Sequence, residues 1–196
     1  MYQFILFILY LKFATASAKF KWGVATASYQ IEGAIGVDGS GRNIWDDFSD
    51  IPGKIHNNEK ATIADNSYYL YENDIELIKG MNLNSYRFSI SWAGILPFGN
   101  GEVNQLGIDH YNKLIDALVA AQIEPFVTLY HWDLPSDLEK QYSGWLNKKI
   151  IKDFAYYAET CFSHFGDRVK HWITMNEPHT FVVVGYSDGA FAVSRK

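Results

Sequence analysis

Apolar positions along the chain fall into short runs separated by longer amphipathic stretches, and the two kinds alternate. Trp22 to Ala27, built from small and apolar residues, predicts a first strand. Ser85 to Trp92 alternates polar and apolar side chains, while Glu124 to Tyr130 and Val169 to Met175 are short apolar runs; all three predict strands. Three helical patterns lie between them. One starts at an Asp65 N-cap and ends at Gly80, carrying Tyr68, Tyr69, Tyr71, Ile75, Leu77 and Ile78. The second runs from about Leu106 to Ala121 with Tyr111, Leu114, Ile115 and Leu118 on one face, and the third from about Asn147 to His164. Gly36, Gly39 and Gly41 make residues 33–43 a loop, Trp45 to Phe48 reads as a short turn or helix, and Pro52-Gly53 and Pro97 with Gly99 and Gly101 mark further loops.

Strands alternating with helices imply an α/β fold with a parallel sheet and right-handed crossovers. A doubly wound sheet and a closed barrel share that alternation, and periodicity does not separate them. No Gly-x-Gly-x-x-Gly follows the first strand and no phosphate loop is present, which speaks against a nucleotide site. Without internal repeats or a Pro/Ser-rich linker, one structural unit is expected.

Each strand ends in residues able to do chemistry. Gln30 and Glu32 follow the first, His131-Trp132-Asp133 the third, and Asn176-Glu177-Pro178 the fourth. In parallel barrels the active-site groups collect at these C-terminal strand ends. Arg87 lies inside the second strand, where it either points outward to water or points inward and needs a carboxylate partner. Pro178 lacks a backbone donor and biases Glu177 towards extended geometry, so ladder pairing should stop there. Taken singly, Gln30 reads as a loop amide, His131 as a structural histidine satisfied by backbone, and Asn176-Glu177-Pro178 as a polar turn.

Composition narrows the function classes. A net charge of −5 with no basic block argues against a nucleic-acid partner. Six Trp and 13 Tyr are aromatic faces on which sugar rings dock, as well as ready core fillers. Cys161 is alone, so there is no internal disulfide and no cysteine-rich metal site; it reads as a buried helix thiol. Neither a metal nor an organic cofactor is expected. The apolar run Phe4 to Leu11 is too short to span a bilayer and is followed by the small residues Ala14 to Ala18, the pattern of a signal peptide over residues 1–18. Nothing before Lys12 is charged, so the basic start of such a segment is missing. The location is the secretory pathway or outside the cell if that segment is a signal peptide, and the cytoplasm otherwise.

Four stretches together resemble glycoside hydrolase family 1, the β-glucosidase family. They are Phe20 to Gly33 (FKWGVATASYQIEG), Tyr86 to Trp92 (YRFSISW), Tyr130 to Pro135 (YHWDLP) and Thr174 to Pro178 (TMNEP), in family order. The resemblance implies a (β/α)8 TIM barrel and a retaining mechanism on β-glycosides. One glutamic acid there protonates the leaving oxygen while a second carboxylate, roughly 5–5.5 Å away, attacks the anomeric carbon. By motif position Glu177 resembles the acid/base and Asn176 the residue that bonds the sugar 2-hydroxyl. Gln30 and His131 resemble partners of other glycone hydroxyls, Trp132 lines the same subsite, and Arg87 resembles the arginine that keeps the nucleophile ionised.

The nucleophile of such a pair belongs to a Thr-Glu-Asn-Gly stretch near the end of the seventh strand, and the chain contains none. Glu32, Asp47 and Asp133 match other family positions and read as structural. Four strands against eight, and 196 residues against the ~250 of a typical barrel, lead to the expectation of a barrel truncated to about its first four βα units over residues 19–196. Such a half barrel is expected to have open edges and an uncovered apolar inner face, to be inactive alone, and to self-associate. Two functional readings stay open: the N-terminal half of a β-glycosidase whose activity belongs to the complete protein, or a non-catalytic member that binds sugar. A third, an α/β domain unrelated to sugars, runs against the motif set. The motifs name neither glycone nor aglycone.

Overall fold

The computed structural model describes residues 20–194, so the expected signal segment at 1–18 lies outside it. Four strands form one parallel sheet in sequence order: β1 Gly23–Ala25, β2 Ser85–Ser89, β3 Glu124–Tyr130 and β4 His171–Met175. Every crossover is helical. From β1 to β2 the chain passes through α1 Ser28–Ile31, α2 Ile44–Ser49 and α3 Ser67–Gly80; from β2 to β3 through α4 Trp92–Ile95 and α5 Gln105–Ala120; from β3 to β4 through α6 Ser136–Tyr142 and α7 Ile150–Phe165. A single turn, α8 Pro178–Thr180, and a π-helix over Phe181–Ser187 follow β4. The register runs Ala25 beside Arg87, Arg87 beside Phe126 and Phe126 beside His171, so all four strands deliver their C-terminal tips to one edge of the sheet.

Alternation along the strands sorts residues between two faces. Val24, Tyr86, Phe88, Val127, Leu129 and Trp172 pack with the helices. The opposite face carries Arg87, Phe126, Thr128 and His171, which contact one another: Arg87 Nε donates to Thr128 Oγ1 at 3.0 Å, and Phe126 stacks on His171 at 4.3 Å. At its lower end Glu124 accepts from His171 Nε2 at 2.8 Å and pairs with Lys21. The inner face is therefore mixed: bonded polar groups stand beside Phe126 and Ile173, so it is less apolar than expected. The reason is in the residue types: serine, arginine, glutamate and threonine occupy the inward positions of β2 and β3.

The helices dock by their apolar stripes. On α5, Ile108, Tyr111, Leu114, Ile115 and Leu118 are buried at helical spacing. Gly107 lets that helix approach α4, since a Cβ there would sit 2.1 Å from the Gly94 carbonyl oxygen. On α7, Tyr157 stacks on Trp92 at 4.9 Å, and its hydroxyl donates to the carbonyls of Ile90 at 3.1 Å and Leu129 at 2.8 Å. One phenol thus ties α7 to the tips of β2 and β3. Cys161, on the same helix, is fully buried with its thiol pushed up by desolvation.

Local boundaries differ from the sequence pattern at several places, among them the second strand, which ends at Ser89 and leaves Trp92 to open α4. The cap of α3 is Asn66, in the left-handed region at φ 57°, and not Asp65. The helix expected from Asn147 starts at Ile150, after a 3-10 turn at Gly144–Leu146. α6, seven residues long, has too few turns to show a periodic stripe and is missed by the pattern. No helix among the described residues is long and apolar enough to cross a membrane.

Replacing Tyr157 by Phe keeps the Trp92 stack but leaves two buried carbonyls short of a donor. We expect a loss of about 1–3 kcal/mol in urea unfolding. Tyr156→Phe, on the exposed side of α7, should cost clearly less; equal losses would refute the assignment.

Candidate functional site

The strand tips are joined by side-chain hydrogen bonds. Arg87 leaves β2 with Nη2 donating to Asn176 Oδ1 at 2.6 Å, just past β4, while its Nε holds Thr128 on β3. No carboxylate forms an ion pair with Arg87 among the described residues, so the carboxylate partner expected for an inward arginine is replaced by a hydroxyl and an amide. Asn176 is buried and offers its backbone carbonyl to Trp132 Nε1 at 2.9 Å. Trp132 itself sits at φ +75°, a conformation bulky residues seldom adopt and that surrounding contacts must hold.

Glu177 follows directly. The ladder does stop at Met175, but Glu177 is left-handed at φ 42° and ψ 66°, not extended as its position before Pro178 suggested. It is the N-cap of α8, whose first residue is Pro178, and its side chain is exposed. Steering the chain from strand into helix within two residues overrides the pre-proline bias.

Beside these tips lies a cleft of about 420 Å³. Tyr29, Gln30, Trp45, His131, Trp132 and Phe191 line it, with Glu59 and Lys60 from the loop 54–60. Gln30 reaches it from α1, a four-residue helix where the sequence suggested a loop. His131 is held at a pKa of about 4, first by desolvation and then by the Arg87 charge, with Glu177 opposing; its imidazole is neutral near pH 7. Its Nδ1 is buried with no hydrogen-bond partner in the protein.

The structure therefore gathers the sequence-predicted residues in two connected groups. Gln30, His131 and Trp132 line the cleft, whereas Arg87, Asn176 and Glu177 lie outside its lining and are joined to it through the Trp132 to Asn176 bond. Sequence reasoning missed Tyr29, Trp45 and Phe191 as walls of the cleft. Their only signal was aromatic character, which the core residues share. Among the described residues no group of three or more His, Cys, Asp or Glu is placed to hold a metal ion.

A family model described as glycosyl hydrolase family 1 matches residues 13–195. The chain belongs to glycosyl hydrolase family 1. Beta-glucosidase 6 of Oryza sativa subsp. japonica is 57% identical over 176 residues, which are 90% of this chain and 34% of that protein. Coniferin beta-glucosidase of Pinus contorta is 51% identical, again over 90% of this chain and 34% of that protein. Among solved structures, rice Os3BGlu6 beta-glucosidase superposes with a TM-score of 0.90 at 55% identity, covering 93% of this chain and 38% of that one. The beta-glucosidase of Thermotoga maritima in complex with castanospermine gives 0.89 at 48% identity, covering 91% and 40%. The fold is the TIM barrel of family 1, of which this chain carries four strands. It spans about a third of the length of the curated relatives it matches.

Behind the cleft this family 1 chain keeps three carboxyl groups away from water. Glu32 is half-buried; desolvation raises it to about 8, against the bond that Tyr111 donates to it at 2.7 Å. Asp133 is raised to about 6, again by desolvation, against bonds from Ser28 and the His131 amide. Asp46 is likewise raised to about 6 by burial; its Oδ2 closes the α2 capping box and its Oδ1 has no partner.

All three folded-state values lie above the ordinary carboxyl range, so at these sites the folded chain binds more protons than the unfolded one and their contribution to stability falls as pH rises. His110 and His131, lowered to about 4, act in the opposite sense between about 4 and 6.5. The contributions of Asp46 and Asp133 are lost between 3.8 and about 6, and that of Glu32 between 4.5 and about 8. We expect a higher urea midpoint at about pH 5 than at about pH 8, and Glu32→Gln should flatten the upper half of that slope. An unchanged slope between about pH 6 and 8 in Glu32→Gln would contradict the assignment.

Proposed function

We propose that the complete protein is a retaining β-glycosidase and that this chain supplies its acid/base, Glu177, and most of its glycone-binding edge. The observation that carries the reading is the tip of β4. Asn176 is clamped by Arg87 at 2.6 Å and by Trp132 at 2.9 Å, with Glu177 next in the chain and the Gln30, His131 and Trp132 cleft alongside. In this reading Asn176 meets the sugar 2-hydroxyl, an interaction that strengthens as positive charge builds on the ring. Neutral His131 offers a ring nitrogen to sugar hydroxyls, and Trp132 provides an apolar face. Arg87 would lend positive charge to an attacking carboxylate brought by residues outside these 196. Relatives named beta-glucosidases support the sugar class, and the apolar run at Phe4 to Leu11 supports action in the secretory pathway.

A second reading, a sugar-binding member without hydrolysis, is favoured by one observation: the chain has no Thr-Glu-Asn-Gly stretch. Retention needs two carboxylates roughly 5–5.5 Å apart, and a single one cannot form and then release the glycosyl-enzyme. The 196-residue chain alone is therefore expected to leave 4-nitrophenyl β-D-glucoside intact. The protein made from the full-length transcript should hydrolyse it, and Glu177→Gln there should lower kcat by about 10²–10⁴-fold on substrates with poor leaving groups. Turnover by the isolated chain that disappears in Glu177→Gln would overturn the division of labour. An inert full-length protein that still binds glucosides would favour the second reading.

A further inference from the structure

Asp133 is 1% exposed, yet neither oxygen of its carboxylate faces the cleft lining. Oδ1 accepts from the His131 backbone N–H at 3.2 Å, and Oδ2 accepts from Ser28 Oγ at 3.0 Å. Ser28 in turn donates its own backbone N–H to Ser89 Oγ at 2.8 Å, and the two serine hydroxyls lie 3.3 Å apart. A buried latch thus runs from the tip of β2, through the first residue of α1, to the turn after β3. Both ends of the latch lead into the cleft. Ser28 is followed by Tyr29 and Gln30, and His131 is followed by Trp132, all four of them lining residues. Two elements from different crossovers, with no backbone ladder between the lining residues themselves, are held in register by one carboxylate. Trp132 also needs external support, because its positive φ is strained for a bulky side chain.

We propose that Asp133 is a positioning residue for the sugar cleft: it fixes the turn carrying His131 and Trp132 against the helix start carrying Tyr29 and Gln30, without touching the ligand. The inference rests on the sugar-binding reading for what the cleft holds, but not for the latch itself. A carboxylate suits the role because it is an acceptor at both ends, and it must receive from a fixed backbone N–H on one side and a hydroxyl on the other. An amide in its place keeps an acceptor for the fixed N–H, and the Ser28 hydroxyl can turn to accept from the amide nitrogen. A leucine keeps the volume and removes both bonds.

The test uses the 196-residue chain, with Trp132 indole N–H exchange and the Gln30 side-chain amide followed by NMR, and methyl β-D-glucoside as the sugar probe. Asp133→Leu should speed Trp132 indole exchange about tenfold or more and shift the Gln30 amide, while circular dichroism stays native-like. Asp133→Asn should restore both signals to near the wild-type values, which a loss of general stability would not do. Ser28→Ala cuts one arm only, so it should shift Gln30 and leave Trp132 protected. A folded Asp133→Leu chain with both signals unchanged overturns the proposal. Should that variant not fold, Ser28→Ala decides: a static Gln30 amide refutes the latch and a shifted one supports it. A wild-type chain whose indole responds as expected, together with a full-length protein that shows no contact with the glucoside, refutes the sugar reading and leaves Asp133 as the positioning residue.

Discussion

A half-buried guanidinium is steadied by partners, and Arg87 of β2 finds them at two neighbouring strands at once. It leaves β2, bonds Thr128 on β3 and Asn176 past β4, and so ties the tips of the sheet across its inner face. The cost of an unpaired buried charge makes that arrangement stringent. Asn176 can meet Arg87 only if β4 lies in register with β3, and Trp132 can reach the Asn176 carbonyl only if Asn176 is so placed. The orientation of Glu177 follows, since it is the next residue and its left-handed backbone turns the chain away from the sheet. A hydroxyl and an amide satisfy the donors without neutralising the charge, which leaves Arg87 a positive group on the inner face.

Around this clamp the polar groups divide by depth. Close to the cleft stand neutral or weakly held groups, among them His131, kept uncharged by desolvation and by Arg87. Behind it stand Glu32, Asp46 and Asp133, whose carboxyls are enclosed and biased towards protonation. Buried carboxyls of this kind are costly to charge, and their hydrogen bonds to Tyr111, Asn43, Ser28 and His131 are what keep them in place. The aromatic wall, Tyr29, Trp45, Trp132 and Phe191, closes the cleft with large faces that lose little conformational freedom on ordering.

Membership of glycosyl hydrolase family 1 sets this architecture in a larger frame. A third of the length of its curated relatives accounts for four of the eight strands. Polar, mutually bonded residues share the inner face with Phe126 and Ile173. The helices α3, α5 and α7 pack on one face of the sheet, and the core they share runs from Ile44 to Ala192.

Periodicity alone determined the four strands, the three long helices and their order, because a stripe of buried residues over three or four turns, or over one strand, leaves its period in the sequence. The ends of the apolar runs placed Gln30, His131, Trp132, Asn176 and Glu177 past strand tips and Arg87 inside β2, because parallel strands end where their apolar runs end. What only the tertiary structure decided was set by contacts distant in sequence. Arg87 takes Asn176, 89 residues away, instead of a carboxylate. Asp133 bridges to Ser28, 105 residues earlier, and Glu177 abandons the extended backbone that Pro178 favours locally. Short elements such as α6 and the cap at Asn66 escaped because a turn or two carries no period. Local sequence reports local free energy; partner choice among buried polar groups is settled by which of them the fold brings within hydrogen-bond reach.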